Sequence, residues 1–215
     1  MPKSMKLYLR ISSLVLLFFT SCATNTMVKD CTVVALDAPT FEVPYFSNPE
    51  MDYVYKANIT AYGNELSGIF IAKKINDTTH RMVFTTEFGN KLLDFEITEH
   101  DFKVNSIVAE LDRKILINTL VKDFRLLLRS HYQIAAQFES KESKVYLSED
   151  GKRLNYLFVS KSDNTLSKIV HATKRKEKIN LFYTVENNIF ASKIIIQHKT
   201  MPLIIELNYF NNKTN

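Results

Sequence analysis

The chain has few of the residues that mark unusual folds: its 215 residues include four glycines, five prolines, two cysteines and no tryptophan. So few glycines exclude a collagen-like repeat, and two cysteines exclude a disulfide scaffold. The scarcity of glycine also leaves little material for a phosphate-binding loop. Hydrophobic residues make up 46% of the chain, which argues against disorder and is enough for one sizeable core.

Acidic residues are missing from the first 21 positions, where Lys3, Lys6 and Arg10 account for part of the formal net charge of +5. Without these positions the chain has 25 basic and 23 acidic side chains, a net charge of +2. Because the excess charge belongs to the start of the chain, we associate it with export and expect no nucleic-acid partner.

Residues 1–21 have the parts of a signal peptide: a basic start, an apolar stretch at 11–19 and small residues before Cys22. A mostly apolar stretch of nine residues is too short for a membrane-spanning helix, which needs about 20. Phe19-Thr20-Ser21-Cys22 resembles the lipobox of bacterial lipoproteins. That resemblance implies cleavage before Cys22, lipid on its sulfur and an acyl chain on its nitrogen. The alternative is an ordinary signal peptide followed by a chance cysteine.

Ala23 follows the lipobox cysteine, which in enterobacterial lipoproteins implies forwarding to the outer membrane. We therefore expect a lipid-anchored, periplasm-facing protein whose membrane contact is made through Cys22. Cys31 then has no partner for a disulfide, so we expect a free thiol, either in a tether or buried beside Val33 and Val34. Three evenly spaced prolines favour an extended path. The predicted organisation is a signal peptide at 1–21, a lipidated tether at 22–50 and one domain at 51–215.

From residue 53 onward the pattern is that of strands, with apolar residues at alternate positions and turn residues between the runs. Residues 81–88 are one predicted strand. Residues 112–129 differ, because their apolar side chains recur at helical spacing, with Asp112 as the expected N-cap. The predicted fold class is mainly β (α+β): about ten or eleven antiparallel strands with one central amphipathic helix docked on them.

The order of these elements resembles the LolA/LolB-like superfamily of outer-membrane lipoprotein carriers. The resemblance rests on residues 66–71, 82–84 and 88–95, a run of strand, strand, apolar-glycine turn and strand, and on 108–128, where that family has a helix. It implies a curved, unclosed half-barrel whose helix covers a hydrophobic cavity. Glu87-Phe88-Gly89 lacks the proline that LolB-type receptors have at this turn.

Bulky side chains predicted to face inward are the candidates for a ligand-binding interior: Phe70, Met82, Phe84, Phe95, Leu120, Phe124 and Tyr156. The alternative for each is ordinary core. The resemblance implies that Phe88 is an exposed hydrophobic residue that touches lipid. The alternative for Phe88 is the end of a core face begun by Met82 and Phe84.

A basic run, Lys174, Arg175 and Lys176, lies between two predicted strands. It fits a solvated hairpin tip that discourages edge pairing. It also fits a membrane contact with anionic lipid headgroups.

The five histidines show no spacing typical of a metal site, and the motifs of phosphate, dinucleotide and hydrolase sites are missing from the sequence. We therefore expect no catalytic residue, metal or cofactor. The predicted function is an outer-membrane lipoprotein that binds acyl chains, another hydrophobic ligand or a lipoprotein client, in lipid or lipoprotein trafficking. The alternatives are a non-catalytic accessory lipoprotein with an envelope protein partner, and a lipoprotein hydrolase.

Overall fold

A large antiparallel sheet covered by one α-helix makes up the protein, in a computed structural model that describes residues 26–173, 176–185 and 190–210. The helix, α1, spans Lys114–Leu128, and a short 3-10 turn spans Thr26–Val28. The strands of the described residues are β1 Thr32–Val34, β2 Thr40–Glu42, β3 Asp52–Ala61, β4 Asn64–Lys74, β5 His80–Thr85, β6 Lys91–Ile97, β7 Phe102–Ile107, β8 His131–Gln133, β9 Ala136–Glu139, β10 Ser143–Asp150, β11 Arg153–Ser160, β12 Leu166–Thr173, β13 Lys176–Val185, β14 Ala191–His198 and β15 Leu203–Tyr209.

Thirteen of these strands form one sheet in the order β1-β9-β10-β11-β12-β13-β14-β15-β3-β4-β5-β6-β7. The strand β15 pairs with β3, with Leu203 opposite Ala61, so a late strand joins an early one in the middle of the sheet. The outermost strands, β1 and β7, do not pair with each other, which leaves the curved sheet open. The predicted unclosed half-barrel with one central helix is confirmed.

Alternation of side chains gives the sheet two distinct faces. In β3, Tyr53, Tyr55 and Ala57 are buried, whereas Asp52 and Lys56 are exposed. Successive side chains of a strand point to opposite faces, so the buried set shares one face with the helix. We call the face that α1 covers the inner face.

The described residues include no helix that is long and apolar enough to cross a membrane.

A close approach between β4 and β5 depends on Gly68. A Cβ atom at this position would lie 2.1 Å from the carbonyl oxygen of Thr85 and 2.9 Å from the ring of Phe84. Only glycine leaves room for the neighbouring backbone here, since a side chain atom cannot occupy that space.

The helix begins at Lys114, and its N-cap is one residue later than the sequence predicts. Arg113, not Asp112, is the N-cap, and it makes no side-chain capping bond. The backbone N–H of Asp112 instead donates to Val108 O at 3.1 Å, within the turn that precedes the helix. The prediction of Asp112 as the cap is therefore wrong.

The structure has more strands than the ten or eleven predicted from the sequence. Two of the additional strands, β1 and β2, lie in residues 22–50, which the sequence analysis assigns to a tether, and residues 131–138 form the separate strands β8 and β9. Val33 pairs opposite Phe138, and Phe41 opposite Tyr132. The folded domain therefore begins well before residue 51.

Two apolar clusters lie on opposite faces of the sheet. The larger lies on the inner face and includes α1. The smaller, which we call the outer cluster, lies on the opposite face of β10–β12 and consists of Met27, Val28, Val145, Leu147, Tyr156, Val170 and Ala172. Cys31, a free cysteine, packs against the outer cluster and is half-buried, and burial raises the pKa of its thiol.

Candidate binding interior

The space between α1 and the inner face brings six of the seven predicted ligand-binding residues together. All six are at most 4% exposed and belong to the inner cluster: Phe70, Met82, Phe84, Phe95, Leu120 and Phe124. The rings of Phe70 and Phe124 stack with centroids 5.2 Å apart and planes 27° apart, which fixes the helix on β4. Residues predicted from helical spacing and residues predicted from strand spacing thus lie in the same apolar interior.

Tyr156 does not join this interior. It is buried on the other side of β11, in the outer cluster. The neighbouring residues Leu157 and Val159 belong to the inner cluster instead. Since β11 is apolar on both faces, alternation alone does not tell which side chains face the helix.

A segment that the sequence analysis assigns to the tether fills part of the interior. Val43, Tyr45 and Phe46 are at most 1% exposed and belong to the inner cluster. The Phe46 ring lies 4.9 Å from that of Tyr53, and the buried His80 donates from Nε2 to Phe46 O at 3.0 Å. The run Phe41–Phe46 is rich in apolar residues, but the prolines within it and on either side of it mask this signal in the sequence.

Buried tyrosines give the interior a polar component. Tyr45 donates its hydroxyl to Leu166 O at 2.9 Å, and Tyr55 donates to Ala191 O at 3.0 Å. The hydroxyls of Tyr132 and Tyr183, also buried, have no partner among the described residues. Burial raises the pKa of Tyr132 and Tyr183 far above the ordinary tyrosine value, because the apolar surroundings disfavour a phenolate.

A buried polar pair attaches the middle of the helix to the sheet. Asp123 on α1 accepts from His198 Nε2 at the end of β14, at 2.9 Å and 2.8 Å to its two carboxylate oxygens. Asp123 is fully buried, and burial raises the pKa of its carboxyl despite the opposing hydrogen bond from His198. The two residues are 75 positions apart, and no local pattern marks the pair in the sequence.

Arg125 attaches the last turns of the helix to the β6–β7 turn. Its Nε donates to Thr98 O at 2.8 Å, and its Nη2 donates to Asp101 O at 3.0 Å. Together with Asp123 and Phe124, Arg125 gives α1 three consecutive residues that contact the sheet or its turns. The start of the helix, by contrast, is uncapped and carries Ile115 with 79% of its side chain exposed.

The interior is filled by side chains rather than open. A pocket of about 290 Å³ lies by the β14–β15 turn and is lined by residues that include His198 and Met201. Another, of about 470 Å³, lies between the β9–β10 and β11–β12 turns and is lined by residues that include Lys161. Neither is lined by any of the seven predicted residues.

The β5–β6 turn exposes Phe88, of which 95% is accessible to solvent. β5 ends at Thr85, and a backbone bond from Thr86 N–H to Asn90 O closes the turn at 2.9 Å. The alternative that Phe88 ends the core face of Met82 is therefore wrong, as is the predicted strand through residue 88. The chain turns at Gly89, whose φ of +86° suits glycine.

The remaining predicted sites are only partly within the described residues. Lys176 is exposed at the start of β13, paired opposite Thr173 at the hairpin end. Lys174, Arg175 and Cys22 lie outside the described residues. Within the described part of the chain, no group of three or more histidine, cysteine, aspartate or glutamate side chains could hold a metal ion.

Comparison with known proteins finds similarity at the level of structure. No protein-family model matches the chain, and no curated protein matches it. It is similar to a LolA superfamily protein from Nitrosomonas europaea, with 11% identity over 77% of this chain and 87% of that one and a TM-score of 0.48.

Two further solved structures are similar to this chain. An outer membrane lipoprotein-sorting protein domain from Vibrio parahaemolyticus has 7% identity, a TM-score of 0.44 and coverage of 76% of this chain and 87% of its own. A DUF1329 family protein from Desulfovibrio piger has 10% identity, a TM-score of 0.40 and coverage of 74% and 84%.

Proposed function

We propose that the protein is a non-enzymatic lipoprotein, anchored to the outer membrane through lipid on Cys22 and facing the periplasm. Its sheet and helix would bind an acyl chain or the acyl chains of a lipoprotein client, in lipid or lipoprotein trafficking. The observation that carries this proposal is the convergence of six bulky apolar side chains between α1 and the inner face.

Binding requires the helix to move, because side chains fill the interior. Burying a sixteen-carbon chain that comes from water gains about 12 kcal/mol, at about 0.8 kcal/mol for each methylene group. A whole domain is stable by only about 5–15 kcal/mol. A ligand of this size can therefore offset the loss of the contacts that hold α1, including the Phe70–Phe124 stack. The uncapped first turn at Arg113 is where we expect the helix to begin to separate from the sheet.

The exposed Phe88 supports a second part of the proposal, contact with lipid at the β5–β6 turn. A large apolar side chain held out on a short turn gains free energy by entering the bilayer interface. Lys174, Arg175 and Lys176 would contact anionic headgroups, each contributing about 1 kcal/mol.

The packed interior also supports a second candidate function, that of an accessory lipoprotein in an envelope complex. Such a protein would use the same fold without a ligand and bind a protein partner through its surface. The filled space around Phe95 and Phe124, both at most 3% exposed, favours this candidate.

Photocrosslinking separates the two candidates. The full chain is placed on phosphatidylcholine vesicles that contain a phosphatidylcholine with a diazirine at the end of one acyl chain. After irradiation, peptide mass spectrometry locates the crosslinks. Binding of an acyl chain predicts crosslinks on α1 at residues 114–128, next to Phe124.

Two variants serve as a matched pair in this experiment. Phe124→Ala opens a cavity in the inner cluster and should increase the crosslinks on α1. Tyr156→Ala opens a cavity in the outer cluster and should leave those crosslinks unchanged. Crosslinks confined to surface residues such as Phe88, with none on α1 in either variant, would contradict ligand binding and favour the accessory role.

A further inference from the structure

Two buried hydroxyl groups lack hydrogen-bond partners within the apolar interior. Tyr132 lies on β8 and is fully buried, and Tyr183 lies on β13 and is 6% exposed. Their hydroxyl oxygens are two of three buried side-chain polar atoms without a partner among the described residues. A buried hydroxyl that makes no hydrogen bond costs about 1–3 kcal/mol, so each such group calls for an explanation.

Tyr132 and Tyr183 belong to the same inner cluster as Tyr45 and Tyr55. The ring of Tyr183 lies 4.9 Å from that of Tyr45. Burial is the main cause of the raised pKa of Tyr183, and Tyr132, Tyr45 and Tyr55 lie near enough to raise that pKa further. Tyr45 and Tyr55 use their hydroxyls on backbone carbonyls, whereas Tyr132 and Tyr183 do not. The two spare donors thus lie within one apolar cluster.

We propose that Tyr132 and Tyr183 bind the ester carbonyl of an esterified acyl chain, whose hydrocarbon part would displace α1 from the inner face. The inference rests on the proposed function and names the ligand more closely. A hydroxyl donates to a carbonyl oxygen, and an ester offers that oxygen without a charge.

The surroundings favour a neutral acceptor over a carboxylate. The same burial that disfavours a phenolate at Tyr183 disfavours any other negative charge placed beside it. Arg129 lies with its guanidinium 4.5 Å from the ring centre of Tyr132, but its Nε already donates to His131 O at 3.0 Å. Its Nη2 lies 3.9 Å from Glu99, so this cation already has a carbonyl and a carboxylate as partners.

The test compares three photoprobes of similar length, each with a diazirine at the far end: methyl palmitate, heptadecane and palmitic acid. Each is added at equal mole fraction to phosphatidylcholine vesicles that carry the full chain, and crosslinks on residues 114–128 are counted by mass spectrometry. One gained hydrogen bond predicts about five- to tenfold more crosslinking with the ester than with the hydrocarbon. The acid should crosslink less than the ester at neutral pH.

Tyrosine-to-phenylalanine variants identify the groups responsible. Tyr132→Phe and Tyr183→Phe should each reduce the preference for the ester, and the double variant should abolish it. Neither should lower the midpoint of thermal unfolding without ligand, because each removes a hydroxyl that has no partner. Tyr55→Phe is the matched control: it loses the bond to Ala191 O, so it should lower the midpoint but keep the preference.

The outcomes separate this inference from the proposed function. Equal interior crosslinking by ester and hydrocarbon would overturn the inference while leaving acyl-chain binding intact. An acid probe that matches the ester would overturn the choice of a neutral acceptor. A lower unfolding midpoint in Tyr132→Phe or Tyr183→Phe would show that the hydroxyls hold a structural water, which also overturns it. No interior crosslink with any probe would contradict both the inference and the proposed function.

Discussion

Asp123 of α1 and His198 of β14 form a hydrogen-bonded pair in which both side chains are buried, with Oδ2 and Nε2 2.8 Å apart and exposures of 0% and 5%. Removing a single partner of such a pair leaves the other buried without compensation, which typically costs about 3–5 kcal/mol. Replacing both partners with apolar residues removes the uncompensated group as well. The free energies of unfolding of variants of this pair therefore measure how strongly it holds the helix on the sheet.

Asp123→Leu and His198→Leu should each lower the free energy of unfolding by about 3 kcal/mol, and the double variant should recover most of that loss. Urea denaturation followed by circular dichroism measures all three. Glu206→Gln is the control, since its pair with Lys193 is 3.0 Å long but 40% exposed on both sides and should contribute less than about 1 kcal/mol. Strictly additive losses in the double variant would contradict coupling.

Asp94 gives a pH-dependent prediction. This carboxylate is 1% exposed and accepts hydrogen bonds from Arg81 at 2.7 and 3.0 Å, Lys91 at 2.9 Å and Asn105 at 3.3 Å. The bonds from Arg81 hold the pKa of Asp94 well below its ordinary value. A lowered acid pKa stabilises the fold above the unfolded value of about 3.9, and this contribution is lost as the pH falls through the folded value.

Asp94→Asn should therefore destabilise the protein by about 2 kcal/mol at pH 7, and the difference from the wild type should shrink as the pH falls below about 4. Urea denaturation at pH 7, 4 and 3 measures this change. Asp52→Asn is the control, because Asp52 is 60% exposed in its pair with Lys73 and should matter little at any pH. A difference at Asp94 that stays constant down to pH 3 would be inconsistent with a lowered pKa.

Gly68→Ala tests the close approach of β4 and β5. The new Cβ atom would meet the carbonyl oxygen of Thr85, a backbone atom that cannot move without disturbing the strand pair, so we expect a loss of about 3 kcal/mol or more. Gly151→Ala is the control: nothing lies within 4 Å of its Cβ position, and its φ of +58° alone costs about 1 kcal/mol. Thermal unfolding compares the two, and equal losses would refute the steric account.

Phe88→Trp tests the proposed lipid contact directly, because the sequence contains no other tryptophan. On phosphatidylcholine vesicles, the indole should enter the interface and be quenched by brominated phosphatidylcholine. Tyr62→Trp, on the β3–β4 turn where Tyr62 is 70% exposed, is the matched control and should stay unquenched. Both substitutions should change stability by less than about 0.5 kcal/mol. An unquenched Trp at position 88 would rule out the contact.

Local periodicity predicted those parts of the interior that depend on short stretches of sequence. Leu120 and Phe124 recur at helical spacing and Phe70 at strand spacing, so each could be assigned to a buried face. Tyr156 could not, since Leu157 beside it is also apolar and both faces of β11 are covered.

The unpredicted contacts depend on the tertiary fold. Tyr45 lies in a stretch with prolines on either side of it, and its burial follows from packing against Tyr183, far along the chain. Asp123 looks like an ordinary polar helix residue until the fold brings His198 to it. The same holds for the unpartnered hydroxyl of Tyr132, because no sequence pattern shows which tyrosine lacks an acceptor.

Met27 and Val28 are 9% and 8% exposed in the outer cluster, so the folded domain begins only five residues after Cys22. Five residues span at most about 18 Å even when fully extended. With the proposed lipid on Cys22, the part of the outer cluster that contains Met27 would stay within about that distance of the lipidated cysteine. The domain would then lie close against the membrane instead of being held away from it by a long tether. It would exchange cargo only with partners that reach the membrane surface.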